Sequence, residues 1–129
     1  MKLGYTILYV ADVAQTLAFW EAAFGLQRRM LSEHGEYGEL DTGETALAFV
    51  SHAHIRGMLP AEFGAASGSR AAPTFEIALT TDDVGKAQRR ALQAGATLVM
   101  EPTVKPWGQT VAYVRDCDGN LVELCTPMG

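Results

Sequence analysis

The sequence has few cysteines, and their spacing excludes a disulfide scaffold. Cys117 and Cys125 are the only two among 129 residues, so neither a CxxC pair nor a zinc-type Cys/His spacing is present. They flank the turn candidate Asp118–Gly119, and a two-residue hairpin there places Cys117 opposite Asn120 and Cys125 opposite Ala112. We therefore predict two reduced, structural thiols.

Long apolar runs and an excess of positive charge are also missing. No stretch approaches the ~18 apolar residues of a membrane span, and the N-terminus lacks the pattern of a signal peptide. The sequence thus predicts a cytoplasmic protein without a membrane partner. Ten Lys and Arg against fifteen Asp and Glu give a net charge of −5, which disfavours nucleic-acid binding. A neutral or cationic small molecule is compatible with this charge.

The composition is that of an ordinary globular protein. Hydrophobic residues make up 48% of the chain and charged residues 19%, which excludes disorder and collagen-like or coiled-coil builds. A chain of 129 residues has the length of about one domain. We therefore predict a single domain over residues 1–129.

The first part of the chain predicts a β-α-β-β-β module. Lys2–Val10 is rich in β-branched and aromatic residues, which favours a strand. Asp12 is a helix N-cap, Trp20 lies on the apolar stripe of the helix that follows, and Gly25 ends it. Turns separate three further predicted strands, which are Leu26–Ser32, Tyr37–Asp41 and Thr45–Ser51.

The same pattern begins again at Pro73. A strand, PTFEIALTT, leads into a helix that Asp82–Asp83 opens and Gly95 ends. Asp83–Val84 lies 71 positions after Asp12–Val13, which favours a tandem duplication, with chance similarity as the alternative. Three more strands are predicted at Thr97–Met100, Gln109–Arg115 and Leu121–Thr126.

The two modules are predicted at about residues 1–51 and 73–129. Residues 52–72 between them contain four Gly or Pro and show no clean period, which predicts a long connecting loop. The fold class that follows is α+β, built from two tandem β-α-β-β-β modules.

Strand alternation sets Glu76 and Glu123 apart from their neighbours. The larger apolar residues of each strand belong under the helix, so the carboxylates point to the opposite face. Such a carboxylate is either solvent-facing on an open sheet or placed for use. If the sheets curl into an open barrel, these faces line a concave cleft. The helix-facing residues are Phe75, Ile77 and Leu79 in one strand and Val122 and Leu124 in the other.

Three segments carry a family resemblance, and they are DVAQTLAFWEAAFGL, FEIALTTDDV and above all KPWGQTVAYVRDCDGNLVELCTP. They resemble the vicinal oxygen chelate superfamily, which contains glyoxalase I, bleomycin-resistance proteins, fosfomycin-resistance enzymes and extradiol dioxygenases. The resemblance covers essentially the whole chain and is most specific between Pro106 and Glu123. It implies a cup-shaped mixed sheet around a cleft and, commonly, a homodimer.

The resemblance also implies where a divalent metal would bind. The family's ligand positions fall on Tyr5, Ala48, Glu76 and Glu123. Glu123 matches the family's ligand, and Glu76 offers an oxygen donor where the family has a His. At the other two positions the family's ligands are lost. Two carboxylates without an imidazole suit loosely held Mg²⁺ or Mn²⁺ better than Zn²⁺, Ni²⁺ or Fe²⁺. We predict no catalytic metal, with a weakly bound Mn, Mg or Zn ion as the alternative.

Several other residues have two interpretations each. His52 and His54 would face the same way on a continued strand and could ligate a metal, although solvated residues at a loop entrance are commoner. Trp107 follows Pro106 in an extended segment and is either a core plug or a cleft wall. The Asp116–Asn120 segment has the wrong glycine spacing for a calcium loop and favours a plain hairpin turn.

Two functions are compatible with these features. The first is a metal-free small-molecule binder resembling the drug-sequestering bleomycin-resistance proteins. The second is a lyase, isomerase or dioxygenase resembling glyoxalase I, with a weakly held divalent ion. The missing imidazoles favour the first. In either case Glu76 and Glu123 act as a base or an anionic floor, and the predicted ligand-binding residues are Tyr5, Tyr9, Ala48 and Trp107.

Overall fold

The computed structural model describes residues 1–128 and confirms an α+β fold of two tandem modules. Each module contains one four-stranded mixed sheet. Internal contacts divide the chain into two compact units, one formed by Met1–Glu21 with Gly25–Ala66 and the other by Ala22–Phe24 with the residues from Ser67 onward. The boundary lies within the predicted connector. No helix among residues 1–128 is long and apolar enough to cross a membrane.

The first module has the predicted element order. Strands follow one another across the sheet as β1-β4-β3-β2, with β1 parallel to β4 and the other pairs antiparallel. The first strand is shorter than Lys2–Val10, because pairing with the sheet starts at Tyr5, opposite Ala46. The elements are β1 (Tyr5–Val10), α1 (Val13–Phe24), β2 (Gln27–Leu31), β3 (Tyr37–Asp41) and β4 (Ala46–Ser51).

Helix α1 begins and ends at the predicted residues. The Asp12 carboxylate accepts a hydrogen bond from the Gln15 backbone N–H over 3.1 Å, and Gly25 takes the left-handed conformation at φ 70°. The apolar stripe of the helix is buried against the sheet, where the Trp20 ring lies 5.7 Å from that of Phe49. Trp20 is therefore a core residue, as predicted.

The connector is not a loop throughout. It begins with a short helix, α2 (His52–Arg56), which Ser51 caps by accepting a hydrogen bond from the His54 N–H over 3.1 Å. This cap stops β4 from continuing as a strand, since the Ser51 side chain satisfies an N–H group of the first helical turn. The prediction of a loop over residues 52–72 is therefore wrong at its start, where the first five residues form α2.

The second module repeats the architecture of the first. Its strand order is β5-β8-β7-β6, again with the first pair parallel. Asp83 caps the helix through the Lys86 N–H at 3.0 Å. The strand after the helix continues to Val104, beyond the predicted end at Met100, because it stays paired with its neighbour through two register irregularities. The elements are β5 (Glu76–Thr80), α3 (Val84–Gln93), β6 (Thr97–Val104), β7 (Thr110–Arg115) and β8 (Leu121–Cys125).

The turn between β7 and β8 differs from the predicted two-residue hairpin. Asp116 bonds to Asn120 through the backbone, so three residues form the loop, and Gly119 adopts φ 85°. The Asp116 carboxylate is buried and accepts hydrogen bonds from the backbone N–H groups of Asp118 and Asn120. This segment is a structural turn, and its extra residue shifts the register so that Cys125 pairs with Val111 and not with Ala112.

Candidate functional site

The second sheet brings Glu76, Glu123 and Tyr113 to one face. In the register, Glu123 is flanked by Ala78 of β5 and Tyr113 of β7, and Glu76 lies two residues before Ala78. Val122 and Leu124, which alternate with Glu123, are buried. Side chains of alternating residues point to opposite faces of a sheet, so the two carboxylates and the tyrosine lie on the face away from the buried layer.

Glu123 is the acceptor at the centre of this cluster. The Tyr113 hydroxyl donates to Glu123 Oε1 over 2.7 Å, and Cys125 lies two residues further along β8, on the same face of the sheet. Glu76 lies close enough for the charge of Glu123 to raise the pKa of its carboxyl. Two neighbouring carboxylates disfavour each other's ionised form. The cluster therefore favours a proton on Glu76.

The pKa values of the cluster follow from this arrangement. Burial, followed by the charge of Glu123, raises the pKa of Glu76 above its ordinary value of 4.5, although the residue as a whole is exposed. The hydrogen bond to Glu123, followed by burial, raises the pKa of the Tyr113 hydroxyl. Burial and the nearby Glu123 raise the pKa of the Cys125 thiol to about 11. Both groups therefore stay protonated as donors at neutral pH.

The donor set does not fit a transition-metal site. No group of three or more His, Cys, Asp or Glu residues within residues 1–128 is placed to hold a metal ion. The cluster offers no imidazole, the raised pKa keeps the Cys125 thiol protonated, and Glu123 already accepts the hydrogen bond from Tyr113. Zn²⁺, Ni²⁺ and Fe²⁺ sites of ordinary strength require nitrogen or thiolate ligands. Metal-dependent chemistry is therefore not assigned to these residues.

The predicted ligand residues of the first module lie on its sheet. Tyr5 is 58% exposed, whereas Ala48 is fully buried at 0%. Tyr9 is half-buried, and its ring meets the Phe63 ring edge-on at 4.9 Å between centroids. A methyl group that is already covered offers little surface to a ligand. The ligand-binding roles of Tyr5, Tyr9 and Ala48 stay predictions.

A second tyrosine–carboxylate pair, which the sequence analysis missed, lies on β3. The Tyr37 hydroxyl donates to Glu39 Oε2 over 2.7 Å, and Glu39 is the register partner of Ala48. Arg29 approaches the same carboxylate at 3.8 Å. Burial, followed by the bond to Glu39, raises the pKa of the Tyr37 hydroxyl. The first module thus carries a carboxylate on β3, next to the position on β4 where the family's acidic ligand was predicted to be lost.

His52 and His54 are not a metal pair. His52 is only 8% exposed, and its Nε2 lies 3.2 Å from both the Tyr9 carbonyl oxygen and the Ala66 nitrogen. His54 is exposed on the same short helix. Residues two apart on a helix do not face each other, so the expectation for a continued strand was wrong. Predicting His52 as solvated was also wrong, because it anchors the connector at Ala66.

Trp107 lies on the turn between β6 and β7 and is 64% exposed. Its indole N–H donates to Gln109 Oε1 over 2.8 Å, and the two residues line a surface depression of about 320 Å³ together with Met128. The core-plug interpretation is wrong, since the ring is exposed. A ligand contact for Trp107 stays a prediction.

Comparisons with known proteins agree with this architecture. Residues 2–124 match the family model described as the Glyoxalase/Bleomycin resistance protein/Dioxygenase superfamily. A protein named lactoylglutathione lyase from Salmonella typhimurium is 30% identical over 131 residues, covering 96% of this chain and 91% of that protein. The uncharacterised YraH of Bacillus subtilis is 29% identical over 125 residues, covering 96% of this chain and 97% of its own.

Solved structures show the same fold. A glyoxalase-related enzyme from Fulvimarina pelagi matches with a TM-score of 0.84 at 17% identity, covering 98% of this chain and 88% of that one. A family enzyme from Burkholderia phytofirmans matches with a TM-score of 0.79 at 23% identity, covering 98% of both chains. With the family match spanning nearly all its residues, this chain belongs to the glyoxalase/bleomycin resistance protein/dioxygenase superfamily.

Proposed function

We propose that this protein binds a small molecule bearing a cationic group, as a drug-sequestering protein would, with Glu76 and Glu123 as the anionic floor. The observation that carries this proposal is their lack of a basic partner. Within residues 1–128, no ion pair reaches Glu76 or Glu123, whereas Arg28 and Arg29 do pair with other acids. A carboxyl whose pKa is raised by a neighbouring carboxylate can exchange its proton for a ligand cation.

The rest of the cluster supports this role. Tyr113 fixes the Glu123 carboxylate by donating to it, so little ordering is left to occur on binding. Exposed aromatic rings suit stacking on a cation, and Trp107 of the second module is such a ring and a proposed ligand contact. On the first sheet, Tyr5, Tyr9 and Ala48 are the proposed ligand contacts. No catalytic metal is part of this proposal.

Isothermal titration calorimetry with matched probes tests the proposal. We expect benzamidinium to bind and neutral benzamide to bind at least about tenfold more weakly, because one charge-assisted contact is lost. Bleomycin serves as the drug-sized probe. Glu123→Gln should weaken benzamidinium binding by about tenfold or more, whereas Glu101→Gln on β6 should not change it. Equal affinity for benzamide and benzamidinium would contradict the proposal.

A second candidate function is a lyase acting on a small metabolite with a weakly held divalent ion. The observation that favours it is the 30% identity to a protein named lactoylglutathione lyase. In this case Glu76, whose pKa is raised chiefly by burial, is the proposed general base. The assay is turnover of S-lactoylglutathione with Mg²⁺, Mn²⁺ or Zn²⁺ added.

Elemental analysis separates the two candidates. Protein purified without chelator should carry no stoichiometric transition metal if the binding proposal holds. About one zinc, nickel, iron or manganese per chain, lost together with turnover in Glu123→Gln, would overturn the metal-free proposal. The same result would establish the lyase.

We also propose that the protein is a cytoplasmic homodimer. Apolar residues remain exposed on the outer strands of both sheets, including Tyr5 and Ile7 on β1 and Leu98 and Val99 on β6. Exposed sheet edges and apolar surface are commonly covered by a second copy. Light scattering at micromolar concentration should give twice the chain mass of 13.9 kDa, and a monomer would contradict this proposal.

A further inference from the structure

A cavity of about 440 Å³ lies on the face of the second sheet opposite Glu123. It is bounded by the last turn of α1, the end of β5 and the first turns of α3. Leu79 and Leu124, which are register partners on β5 and β8, line it. Each alternates with a residue of the other face, so this cavity is separate from the carboxylate cluster.

The inner surface of the cavity is apolar. Leu124 is buried, and Phe24 and Leu79 are half-buried along its wall. Arg90 Nε donates to the Ala22 carbonyl oxygen over 2.9 Å, which fixes the Arg90 side chain beside the cavity. The volume falls within the range of about 300–1,000 Å³ typical of small-molecule sites. An apolar group of a few carbons would cover surface that is now exposed.

Charges of both signs stand at the rim. Lys86 and Asp82 line the cavity. Among the described residues, the Lys86 amine and the Asp82 carboxylate make no hydrogen bond or ion pair. Asp83 differs, since its carboxylate caps α3 through the Lys86 N–H at 3.0 Å. The start of α3 is thus already capped. The rim charges without a partner are those of the Lys86 and Asp82 side chains. Thr80 and Thr81 add hydroxyl groups to the same rim.

We propose that this cavity binds a small zwitterion with an apolar body, of which an apolar α-amino acid is the simplest example. The ligand carboxylate pairs with the Lys86 amine, the ligand ammonium with Asp82, and the apolar body lies against Phe24 and Leu79. A ligand of only one charge sign would leave one rim charge unpaired and meet repulsion from it. The site is independent of the cation-binding function proposed for Glu76 and Glu123.

Calorimetric titration with L-leucine tests this site, with two analogues that each lack one charge. 4-Methylpentanoate lacks the ammonium and isopentylamine lacks the carboxylate, so each should bind about tenfold more weakly than L-leucine or worse. Lys86→Met and Asp82→Asn should each weaken L-leucine binding by about tenfold. Lys105→Met, which lies outside the cavity, is the matched control and should leave the affinity unchanged.

Two further measurements keep this site distinct from the carboxylate cluster. L-leucine should shift the backbone NMR signals of Thr81 and Ala87, and Glu76→Gln should not alter its affinity. The proposal is overturned if L-leucine and L-phenylalanine do not bind up to about 10 mM, if 4-methylpentanoate binds as well as L-leucine, or if the shifts appear at Tyr113 instead.

Discussion

The hydroxyl of Tyr113 donates a hydrogen bond to Oε1 of Glu123 over 2.7 Å, between direct register partners on β7 and β8. Glu76 lies on the neighbouring strand β5, where burial and the charge of Glu123 raise the pKa of its carboxyl. The cluster therefore combines a proton donor, an oriented carboxylate and a fixed hydroxyl within one sheet face.

Replacing Tyr113 by Phe should raise the pKa of Glu76 further. Burial is the main reason that this pKa is already high, and the nearby Tyr113 hydroxyl lowers it. Its loss makes the ionised pair less favourable. Carbon-detected NMR titration of the Glu76 carboxyl measures the change. Tyr37→Phe, which removes the corresponding hydroxyl from Glu39, is the control and should leave the Glu76 titration unchanged.

The proton on Glu76 should make stability depend on pH. Its folded-state pKa lies above the ordinary 4.5, so the folded protein holds this proton more tightly than the unfolded chain does. The stabilising effect is complete below about pH 4.5 and is lost as the pH rises through the raised value. Above that value, ionised Glu76 repels Glu123.

Glu76→Gln removes this repulsion and should raise the Tm relative to the unmodified protein more at pH 8 than at pH 4. The expected gain is about 2 °C or less, because Glu76 is exposed and solvent screens its charge. Thermal unfolding at the two pH values measures it. Glu101→Gln on β6 should show no such dependence, and an equal Tm difference at both pH values would contradict the raised pKa of Glu76.

Much of the fold could be predicted because its signals are local. The caps at Asp12 and Asp83, the left-handed Gly25 and the apolar stripe of α1 each depend on residues close in sequence. The start of α2 was missed although it is local too. Ser51 ends β4 by capping the next helix. From the sequence alone, a serine at this place is equally compatible with the last position of a strand.

The candidate site was predicted only in part because it depends on register. Glu76 and Glu123 stood out as charges in apolar strands, but Tyr113 did not. A two-residue turn after β7 would pair Tyr113 with Leu124 and place its ring on the helix-facing side. The observed three-residue loop pairs Tyr113 with Glu123 instead. A shift of one residue reverses which face a side chain occupies. The one extra turn residue is therefore the reason that Tyr113 was not predicted as part of the site.

Gly38→Ala should destabilise the first module. A Cβ at this position would lie 2.6 Å from Leu17 Cδ1 and 3.0 Å from Val13 Cγ1, because β3 passes close beneath α1. Overpacking of a buried position costs about 1–3 kcal/mol. Urea unfolding should show a loss of this size. Gly4→Ala, where a Cβ meets no atom within 4 Å, should change the free energy of unfolding by less than about 0.5 kcal/mol.

Alanine should destabilise the protein more at Gly119, in the β7–β8 turn, than at Gly43 in another turn. Gly119 and Gly43 both have positive φ, at 85° and 96°. A Cβ on Gly43 would meet nothing within 4 Å, whereas one on Gly119 would lie 2.5 Å from the Ser67 carbonyl oxygen and 2.6 Å from Arg115 Nη2. Alanine at either position bears the conformational cost of about 1–2 kcal/mol, and only at Gly119 does a steric clash add to it.

That clash should also release the end of the connector. Arg115 holds Gly119 through its carbonyl oxygen at 2.7 Å and reaches the Ser67 carbonyl oxygen at 3.3 Å, so a side chain between them separates the connector from the turn. We expect Gly119→Ala to lower the free energy of unfolding more than Gly43→Ala does, and to speed tryptic cleavage after Arg70 at least severalfold. Equal cleavage rates for the two variants would show that Arg115 does not hold this segment in place.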